Sequence, residues 1–346
     1  MRTASESEEA RYLVPEAVEA LTDVGLLKMR PVRELGGTEA SPATQMLVLA
    51  AIAEIDVSTA WNVMVNNNST GFMSAFLSDE GVQEVFADGV PIAAGVTPAT
   101  GRARKVEGGY IFDGRWKTCS GVRQASWVRL CGALDDGSGR TVHGVLPKAH
   151  VEIHDTWHVL GLRGTGSYDV SLTEYFVPDH RIVPTETRLR GGPQYRLGGV
   201  AKAAYEHTGI ALGIGRRSLR ELAALADRRG RPDHVITDLG RLTMALDAAE
   251  ALAVSVQEHA YEVLSDDAAD VTRPGMEGLA AATHVTEVAL DCAHTAYRHA
   301  GTSGLYLPNS FERLLRDVLA AGQHIAVSPG NYRLLGSCLV AHGDAA

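Results

Sequence analysis

The chain has 346 residues, 45% of them hydrophobic and 21% charged, a composition typical of a globular protein with room for more than one core. Its formal net charge of -10 argues against a nucleic-acid partner, which favours a basic face. The four cysteines form no CxxC pair and no disulfide framework, so we expect reduced thiols. The polar N-terminus "MRTASESEEA" lacks the apolar core of a signal peptide, so we expect a cytoplasmic protein.

Residues 1–90 are predicted to form an N-terminal helical domain. Apolar residues recur at helical spacing in "VPEAVEALTDVGLL", and "TQMLVLAAIAEI" continues an apolar helical pattern. A further short helix is predicted in "LSDEGVQEVFADG", where Ser78 precedes the helix as its cap and Gly89 lies at its end.

Residues 91–190 are predicted to form a β domain. Short β-rich runs such as "GYIFDGRWK", "SWVRLCGAL", "RTVHGVLP" and "YDVSLTEYFV" alternate with glycine-containing turns. Strands at this regular spacing favour an antiparallel sheet or barrel over β-α-β units. Within the domain we expect Trp116 to pack in the core, because its indole is large and apolar.

Residues 191–346 are predicted to form a C-terminal four-helix bundle. In "LGRLTMALDAAEALAVSVQEHAYEV" apolar residues alternate at intervals of three and four, as along a helix packed lengthwise in a bundle. These residues are Leu239, Leu242, Leu246, Ala249, Ala253, Val256, Ala260 and Val263. A second helix, "GLAAATHVTEVALDCAHTAYRHAG", is expected to end at Gly301.

Several common catalytic motifs are incomplete in this chain. "GIGRRS" lacks the third glycine of a dinucleotide fingerprint and lies in an apolar helix rather than after a strand. "TCSG" and "GTSG" do not complete the G-x-S-x-G motif of hydrolases. His154 and His158 have the spacing of helical metal ligands but lie in a predicted β region, and the E-x-x-H pairs of di-iron bundles are absent. We therefore expect no metal site.

The order of helices, strands and helices, together with four sequence stretches, resembles the acyl-CoA dehydrogenase superfamily. The stretches are "VPEAVEALTDVGLLKMRPVRELGG", "GGYIFDGRWKTCSG" followed by "ASW", "WHVLGLRGTGSYDVSLTEYFVPDHRIV" and "AGTSGLYLPNSFERLLRDVLAAGQH". Within the superfamily, the chain is most similar to the two-component flavin-dependent monooxygenases of group D type, which act with a separate reductase.

The resemblance implies both a fold and a chemistry. The fold is mainly α with a β insert: an N-terminal helical domain, a middle antiparallel β domain and a C-terminal four-helix bundle. The cofactor is reduced FMN or FAD, delivered by a flavin reductase, with O2 as co-substrate and a homotetramer as the assembly. Reduced flavin and O2 form a C4a-hydroperoxide that decays in water, so the protein must exclude solvent. The implied activity is hydroxylation of a small organic substrate, as in secondary metabolism.

The dehydrogenase branch of the superfamily, with bound FAD and an acyl-CoA substrate, is the alternative. Its usual catalytic base is a glutamate four residues before the position of Glu312, and here that position holds Pro308, which cannot take a proton. Glu206 lies near the base position of other members but out of register. A non-enzymatic alternative is a helical scaffold that kept the fold and lost the flavin.

The resemblance places Ser120 and Gly121 at the flavin. A small hydroxyl suits the ring edge near N5, because it can bond the proton whose loss triggers decay of the oxygen adduct. Glycine lets the backbone approach the ring closely. The alternative is that Ser120 only satisfies a backbone group at the end of a strand.

Two further residues are assigned by the resemblance. His324, seven residues after Asp317, is the second catalytic candidate, as a proton donor to peroxide or an acceptor from substrate, unless it is a structural residue. Arg229 aligns with an arginine that contacts the cofactor in related proteins, and a guanidinium suits phosphate. The alternative role for Arg229 is a solvated charge at a helix end, which the helix dipole favours. The remaining flavin-pocket residues implied by the two β motifs are Thr118, Trp157, Arg163 and Thr165.

The sequence departs from some relatives at the substrate site. No histidine precedes His143, although an early histidine binds a phenolic substrate in some of these enzymes. The comparable helix contains the run "NNN", Asn66 to Asn68, whose neutral amides can bind a substrate, and we predict Asn67 and Asn68 as the substrate contacts. An amine or a different carbon centre then competes with a phenol as the oxidised group. The alternative is that these asparagines cap and turn the chain.

Overall fold

The computed structural model describes residues 2–184 and 187–342. Among these residues, five helices come first: α1 (Arg2–Ala10), α2 (Pro15–Asp23), α3 (Pro42–Ala53), α4 (Val57–Phe76) and α5 (Asp79–Val85). Seven strands follow: β1 (Ala93–Val106), β2 (Gly109–Cys119), β3 (Trp127–Leu134), β4 (Thr141–Pro147), β5 (Glu152–His154), β6 (Tyr168–Pro178) and β7 (Ile182–Val183). The later helices are α6 (Gly199–Arg228), α7 (Asp233–Leu264), α8 (Thr272–Ala300), α9 (Ser310–Ala321) and α10 (Gly330–His342). The predicted order of helices, strands and helices is confirmed.

The described residues group into two compact units. Unit 1 contains those of Met1–Ala40, Asn62–Val159 and Arg163–Tyr195, and unit 2 those of Ser41–Trp61, Leu160–Leu162 and Arg196–Ala346. The division into domains at residues 1–90, 91–190 and 191–346 stays a prediction. No helix within the described ranges is both long and apolar enough to span a bilayer.

Helix ends follow local capping chemistry. The Ser78 hydroxyl accepts a hydrogen bond from the Gly81 N–H at the start of α5, which confirms the predicted cap. Ser41 caps α3 in the same way and is followed by Pro42, whose fixed φ suits the first helical turn. Helix α8 ends at Gly301, which has φ 62, as the sequence predicts.

The seven strands form one mixed sheet in unit 1, in the order β5-β6-β2-β1-β3-β4-β7. Strand β1 pairs in parallel with β3, with Ala93 opposite Trp127, whereas its pairing with β2 is antiparallel. The expectation of an antiparallel β domain is therefore wrong for the β1–β3 pair, whereas the other strand pairs are antiparallel. One edge of β2 pairs with β1 and the other with β6. After β2 the chain therefore crosses over β1 and adds β3 on the far side of β1, where β3 runs parallel to β1.

Two apolar clusters form the core of unit 1. One lies on the sheet and includes Trp116, which is fully buried and donates its indole N–H to the Cys131 carbonyl at 2.6 Å. The core position predicted for Trp116 is confirmed. The second cluster joins helix residues such as Phe72 and Val82 to strand residues such as Val145. It packs α4 and α5 against the sheet.

Close helix packing characterises unit 2. Gly209 and Gly213 of α6 face α3, and a Cβ on Gly209 would lie 2.2 Å from the Met46 carbonyl oxygen. A Cβ on Gly213 would lie 2.4 Å from the Ala50 carbonyl oxygen, so both glycines are needed for the two backbones to approach.

The apolar seam predicted on α7 is also present in unit 2. Leu242, Leu246, Ala249, Ala253 and Ala260 are buried, and Leu239, Val256 and Val263 are half-buried. The bundle contains three long helices, α6, α7 and α8, with the shorter α9 and α10 beside α8. A regular four-helix bundle stays a prediction.

The segment Leu160–Leu162 is clamped to α9 within unit 2. Arg316 donates to the Leu160 carbonyl at 2.8 Å, and the Leu162 N–H donates to Asp317 Oδ1 at 2.7 Å. Between them, a Cβ on Gly161 would lie 2.0 Å from the Arg316 carbonyl oxygen. Two of the sequence stretches that carry the family resemblance therefore meet through backbone contacts at this point.

Asp317 is a buried carboxyl, and its second oxygen, Oδ2, has no hydrogen-bond partner in the described chain. That oxygen lies 3.9 Å from Arg313 Nε. Burial raises the pKa of Asp317 to about 7, while the Leu162 N–H and Arg313 act in the opposite direction. Arg313 in turn binds Asp56, which caps the start of α4 by accepting the Thr59 N–H.

Replacing Asp317 tests this clamp. Asp317→Ala leaves the buried Leu162 N–H without its acceptor, which we expect to lower the free energy of unfolding by about 1–3 kcal/mol. Asp317→Asn keeps an acceptor oxygen and is expected to lose less. Urea unfolding followed by circular dichroism at pH 7 measures both. Equal losses in the two variants would show that the Leu162 bond is not what Asp317 contributes.

Candidate functional site

Ser120 follows the last residue of β2, directly after a bulge. The pairing of β2 with β6 shifts register between Trp116 and Cys119, and Thr118 within the bulge has φ 56. The Ser120 N–H donates to the Thr118 carbonyl at 3.0 Å. Cys119 beside it is no nucleophile at neutral pH, because burial raises the pKa of its thiol to about 12.

Three buried hydroxyls lie in a row behind the bulge. Ser120 Oγ is 2.6 Å from Ser167 Oγ, which is 2.7 Å from Thr165 Oγ1. The Gly121 N–H also donates to the Thr165 carbonyl at 3.0 Å. The structure therefore brings together Ser120, Gly121 and Thr165, which the family resemblance assigns to the flavin. Ser167 is an additional member that the sequence reasoning missed.

An amide cluster surrounds Gly121. Gln124 Nε2 donates to Asn62 Oδ1 at 2.7 Å and to Asn66 Oδ1 at 3.2 Å, and Asn66 Nδ2 donates to the Ala93 carbonyl at 2.9 Å. Gly121 has φ 70, and a Cβ there would lie 2.7 Å from Asn66 Nδ2 and 2.8 Å from Asn62 Oδ1. Only glycine fits this position. The four-residue spacing of the two asparagines on a helix was the available sequence signal.

The predicted substrate residues have other surroundings. Asn67 Nδ2 donates to the carbonyls of Leu26 and Val63 at 2.8 and 2.9 Å, and its Oδ1 accepts the Arg30 N–H at 3.1 Å. The amide thus ties the chain after α2 to α4, and both of its donors are engaged. Asn68 is half-buried. Substrate binding by Asn67 and Asn68 stays a prediction, and the geometry favours a structural role for Asn67.

Thr118, Trp157 and Arg163 make local contacts in unit 1. The exposed Thr118 hydroxyl donates to the Lys117 carbonyl at 2.8 Å. Trp157 is half-buried against the apolar cluster of the sheet. Arg163 Nε donates to the Val159 carbonyl at 3.0 Å. These contacts position the backbone near Ser120 and Thr165, and their roles toward a flavin stay predictions.

In unit 2, His324 lies three residues beyond the end of α9. Its N–H donates to the Ala321 carbonyl at 3.1 Å, and its Nδ1 accepts the Ala326 N–H at 3.2 Å. Because Nδ1 is an acceptor, the neutral ring carries its proton on Nε2. The side chain is therefore a hydrogen-bond donor at Nε2.

Two aromatic side chains fix the His324 ring. His207 of α6 stacks on it at 5.5 Å between ring centroids, and Trp61 meets both imidazoles edge-on at 5.4 and 5.8 Å. His207 Nε2 donates to the Ala321 carbonyl at 3.0 Å, while its buried Nδ1 has no hydrogen-bond partner among the described residues. Sequence reasoning missed His207, because a contact across the fold leaves no local pattern.

Both imidazoles are kept neutral. Burial lowers the pKa of His207 to about 4, and a hydrogen bond to the Ala321 carbonyl opposes this only in part. Burial, and then repulsion from His207, lower the pKa of His324 to about 3. At neutral pH, His324 offers a hydrogen bond without positive charge, so the geometry favours donation over proton abstraction.

Arg229 lies at the C-terminal end of α6 and is exposed. Its guanidinium donates to the carbonyls of His299 and Ala300, at 2.6 and 3.2 Å, where α8 ends. A cation at this end of a helix is favoured by the helix dipole, which is the alternative role considered for this residue. Phosphate binding by Arg229 stays a prediction.

The residues around Ser120 fit the edge of an isoalloxazine ring. That edge presents neutral donors and acceptors, and the buried side chains here are hydroxyls and amides, which can serve as either. Gly121 leaves room where a Cβ would collide with the amide cluster. Among the described residues, no group of histidine, cysteine, aspartate and glutamate side chains could hold a metal ion.

Comparisons with known proteins identify the fold and its class. Residues 199–329 match the family model "Acyl-CoA dehydrogenase, C-terminal domain". The structure superposes on XiaF from Streptomyces sp., solved in complex with FADH2 and glycerol, with a TM-score of 0.90 and 22% identity over 98% of this chain and 91% of that chain. The indole-3-acetate monooxygenase of Pseudomonas putida is 28% identical over 352 residues, 96% of this chain and 88% of the relative.

A second relative is named as a flavin-dependent enzyme. The flavin-dependent monooxygenase, oxygenase subunit HsaA, of Rhodococcus jostii (strain RHA1) is 31% identical over 185 residues, 52% of this chain and 48% of the relative. The chain is therefore similar in sequence to monooxygenases, one of them named as flavin-dependent, and it shares its fold with XiaF. This confirms the family resemblance read from the four sequence stretches, whereas the individual site residues rest on the geometry described above.

The neutral state of His324 has a consequence for stability. A histidine whose pKa is lower in the folded than in the unfolded chain stabilises the fold fully above its ordinary pKa of about 6.5. That contribution is lost as the pH falls toward the folded pKa. Below pH 6.5 the unfolding free energy of the unmodified chain should therefore fall with decreasing pH more steeply than that of His324→Gln. The two slopes should differ by up to about 1.4 kcal/mol per pH unit.

Urea unfolding at pH 7, 6 and 5 measures the two slopes. His259→Gln is the matched control, because His259 is an exposed histidine of α7. The control should follow the unmodified chain. Parallel pH dependences of His324→Gln and the unmodified chain would show that burial does not depress the pKa of His324.

Proposed function

We propose that the chain is the oxygenase component of a two-component system that hydroxylates a small organic substrate with O2 and reduced FMN or FAD from a partner reductase. The observation that carries this proposal is the buried row of hydroxyls at Ser120, Ser167 and Thr165 beside the left-handed Gly121. This arrangement offers a neutral donor and acceptor surface in a chain that is similar to a monooxygenase over 96% of its length.

The flavin, when bound, supplies oxygen activation, and the chain's own groups bind and orient it. Ser120 would hold the ring edge near N5 through its hydroxyl, as the resemblance implies. Gly121 lets the backbone approach, and Asn62, Asn66 and Gln124 hold that glycine in its left-handed conformation. Thr165 holds the Gly121 N–H through its carbonyl. None of these groups changes its charge near neutral pH.

His324 acts as a fixed donor in this proposal. Nε2 carries the one N–H proton of the neutral imidazole, because Nδ1 accepts the Ala326 N–H. Stacking on His207 and the edge of Trp61 prevent the ring from turning. Such a donor stabilises negative charge on an oxygen atom without a large reorganisation. The alternative of His324 as a base for an ionising substrate is disfavoured by this tautomer.

The substrate is proposed to be a small aromatic molecule. The Pseudomonas putida relative is named for indole-3-acetate, which makes indoles and related rings the first substrates to assay. Acyl-CoA dehydrogenation is disfavoured, because Pro308 occupies the position of the usual catalytic glutamate.

We also propose a cytoplasmic homotetramer. The consecutive residues Leu305, Tyr306 and Leu307 are 67%, 75% and 70% exposed, an apolar surface suited to burial against another copy of the chain. Arg229 would then reach the flavin phosphate of a neighbouring copy, as the resemblance implies.

Removing the Ser120 hydroxyl tests the proposed flavin contact. Ser120→Ala is expected to divert most reduced flavin oxidation to free hydrogen peroxide, with product formed per reduced flavin falling about tenfold, since one hydrogen bond of about 1.4 kcal/mol is lost. Peroxide and product are measured together in a reductase-coupled assay with an indole substrate. Ser126→Ala is the control, because Ser126 lies on the same connection but donates to the Ile92 carbonyl. An unchanged product yield in Ser120→Ala would remove Ser120 from the site.

A further inference from the structure

Ala326 lies in the turn between α9 and α10 of unit 2, and side chains bind both of its backbone polar groups. The residue is fully buried, so its N–H and its carbonyl need partners within the protein. The N–H donates to His324 Nδ1 at 3.2 Å, and the carbonyl accepts from Asn331 Nδ2 at 3.0 Å. One side chain before Ala326 and one after it therefore set the orientation of its backbone.

The side chain of Asn331, the second residue of α10, is held in turn by α8. Asn331 is buried, and its Nδ2 also donates to Thr283 Oγ1 at 3.0 Å, with a longer contact of 3.4 Å to the Leu279 carbonyl. The Thr283 hydroxyl donates to the Leu279 carbonyl at 2.8 Å and accepts the Ser328 N–H at 3.3 Å. Asn331 thus ties the Ala326 carbonyl to a long helix of the same unit.

Apolar packing alone does not fix the direction of the Ala326 carbonyl. Ala326 belongs to an apolar cluster with Ala204 of α6 and Ala282 of α8. Such contacts are non-directional, whereas a hydrogen bond depends on its angle. A buried carbonyl without a donor raises the free energy of the fold, and the backbone of residue 326 must turn to relieve this cost. That turn carries the Ala326 N–H away from His324 Nδ1.

We infer that Asn331 is a positioning residue that keeps the proton of the neutral His324 ring on Nε2. Its bond to the Ala326 carbonyl holds the Ala326 N–H against Nδ1, and two donors would meet if Nδ1 also carried a proton. Without Asn331, His324 could present a lone pair instead of an N–H at Nε2. This inference rests on the proposed function for what the Nε2–H does, and on the contacts of unit 2 for where the proton lies.

His207 holds the other end of the same turn but does not select the tautomer. Its Nε2 donates to the Ala321 carbonyl, which also accepts the His324 N–H, and its ring stacks on that of His324. Stacking fixes the plane of the His324 ring, and a ring in that plane could carry its proton on either nitrogen. Among the described contacts, the Ala326 N–H is the one that distinguishes the two nitrogens. The effect of Asn331 is therefore separable from that of His207.

Nitrogen magnetic resonance of the full chain, labelled in its histidine rings, tests this inference. Burial lowers the pKa of His324 to about 3, so the ring is neutral at pH 7 and its nitrogen shifts report the tautomer. The chain has 13 histidines, and the His324 signals are those missing from His324→Gln. Asn331→Ala is expected to raise the proportion of His324 rings with the proton on Nδ1 about fivefold. Thr283→Val, which removes the acceptor that orients Asn331, should raise it about twofold.

Two further variants separate hydrogen bonding from packing. Asn331→Leu fills the space without a donor and should match Asn331→Ala. Thr286→Val is the matched control, because Thr286 is a buried residue of α8 whose hydroxyl donates to the Ala282 carbonyl of its own helix at 2.7 Å. Its methyl carbon lies 4.0 Å from the position of a Cβ on Gly322, so it packs against the chain segment that leads to His324. This control should leave the tautomer unchanged.

The outcomes separate the inference from the proposed function. An unchanged tautomer in Asn331→Ala or in Asn331→Leu would overturn the inference, as would a shift in Thr286→Val as large as that in Asn331→Ala. If Asn331→Ala does not fold, Asn331→Leu and Thr283→Val carry the same comparison. The resonance measurement needs no flavin. An unchanged product yield of His324→Gln in the reductase-coupled assay would remove the donor role of His324 from the proposed function and leave the tautomer assignment standing.

Discussion

One extra residue in β2 determines which side chains meet at the candidate flavin site. The bulge at Thr118 changes the pairing of β2 with β6, so that a serine rather than a glycine faces Ser120. The same bulge precedes the crossing of the chain over β1 to β3, the parallel pair of the mixed sheet. The register of the β2–β6 pair and the geometry of the candidate site thus have a common local origin, and bulges are frequent beside active sites.

The two groups of candidate residues share an electrostatic property, although they lie in different units. In unit 1 the polar side chains around Gly121 are hydroxyls and amides, and in unit 2 burial keeps His207 and His324 uncharged. Neutral groups can be buried at moderate cost when they are hydrogen-bonded, whereas a buried charge would need a partner. Such groups orient a bound ring and exclude water without adding a fixed charge to it.

Local sequence patterns predicted many of the helices and their ends, whereas the pairing of strands distant in sequence was not predictable from such patterns. The caps at Ser78 and Gly301 and the seam on α7 follow from the spacing of residues along one helix, so the sequence is sufficient for them. The parallel β1–β3 pair was not predicted, because it depends on which strand occupies the far edge of β2. Trp116 was predicted correctly, since a large apolar side chain on a strand has few alternatives to the core.

The candidate site shows the same division. Ser120 and Gly121 were accessible through the family resemblance, but Ser167 and His207 were not, because each is defined by a contact across the fold. Asn67 and Arg229 each had both a functional and a structural reading from sequence, and in the structure both side chains bond to backbone carbonyls. Polar residues with several available partners are the ones that a sequence pattern resolves least.

The low pKa of His324 also bears on how the reaction rate depends on pH. A ring that stays uncharged between mildly acid and mildly alkaline solution cannot impose a titration curve on turnover. The hydroxyls of Ser120, Ser167 and Thr165 do not titrate in that interval either. A bell-shaped dependence of the rate on acidity would then arise from other groups, among them Asp317, whose pKa burial raises to about 7, and any ionisable group of the small molecule being oxidised.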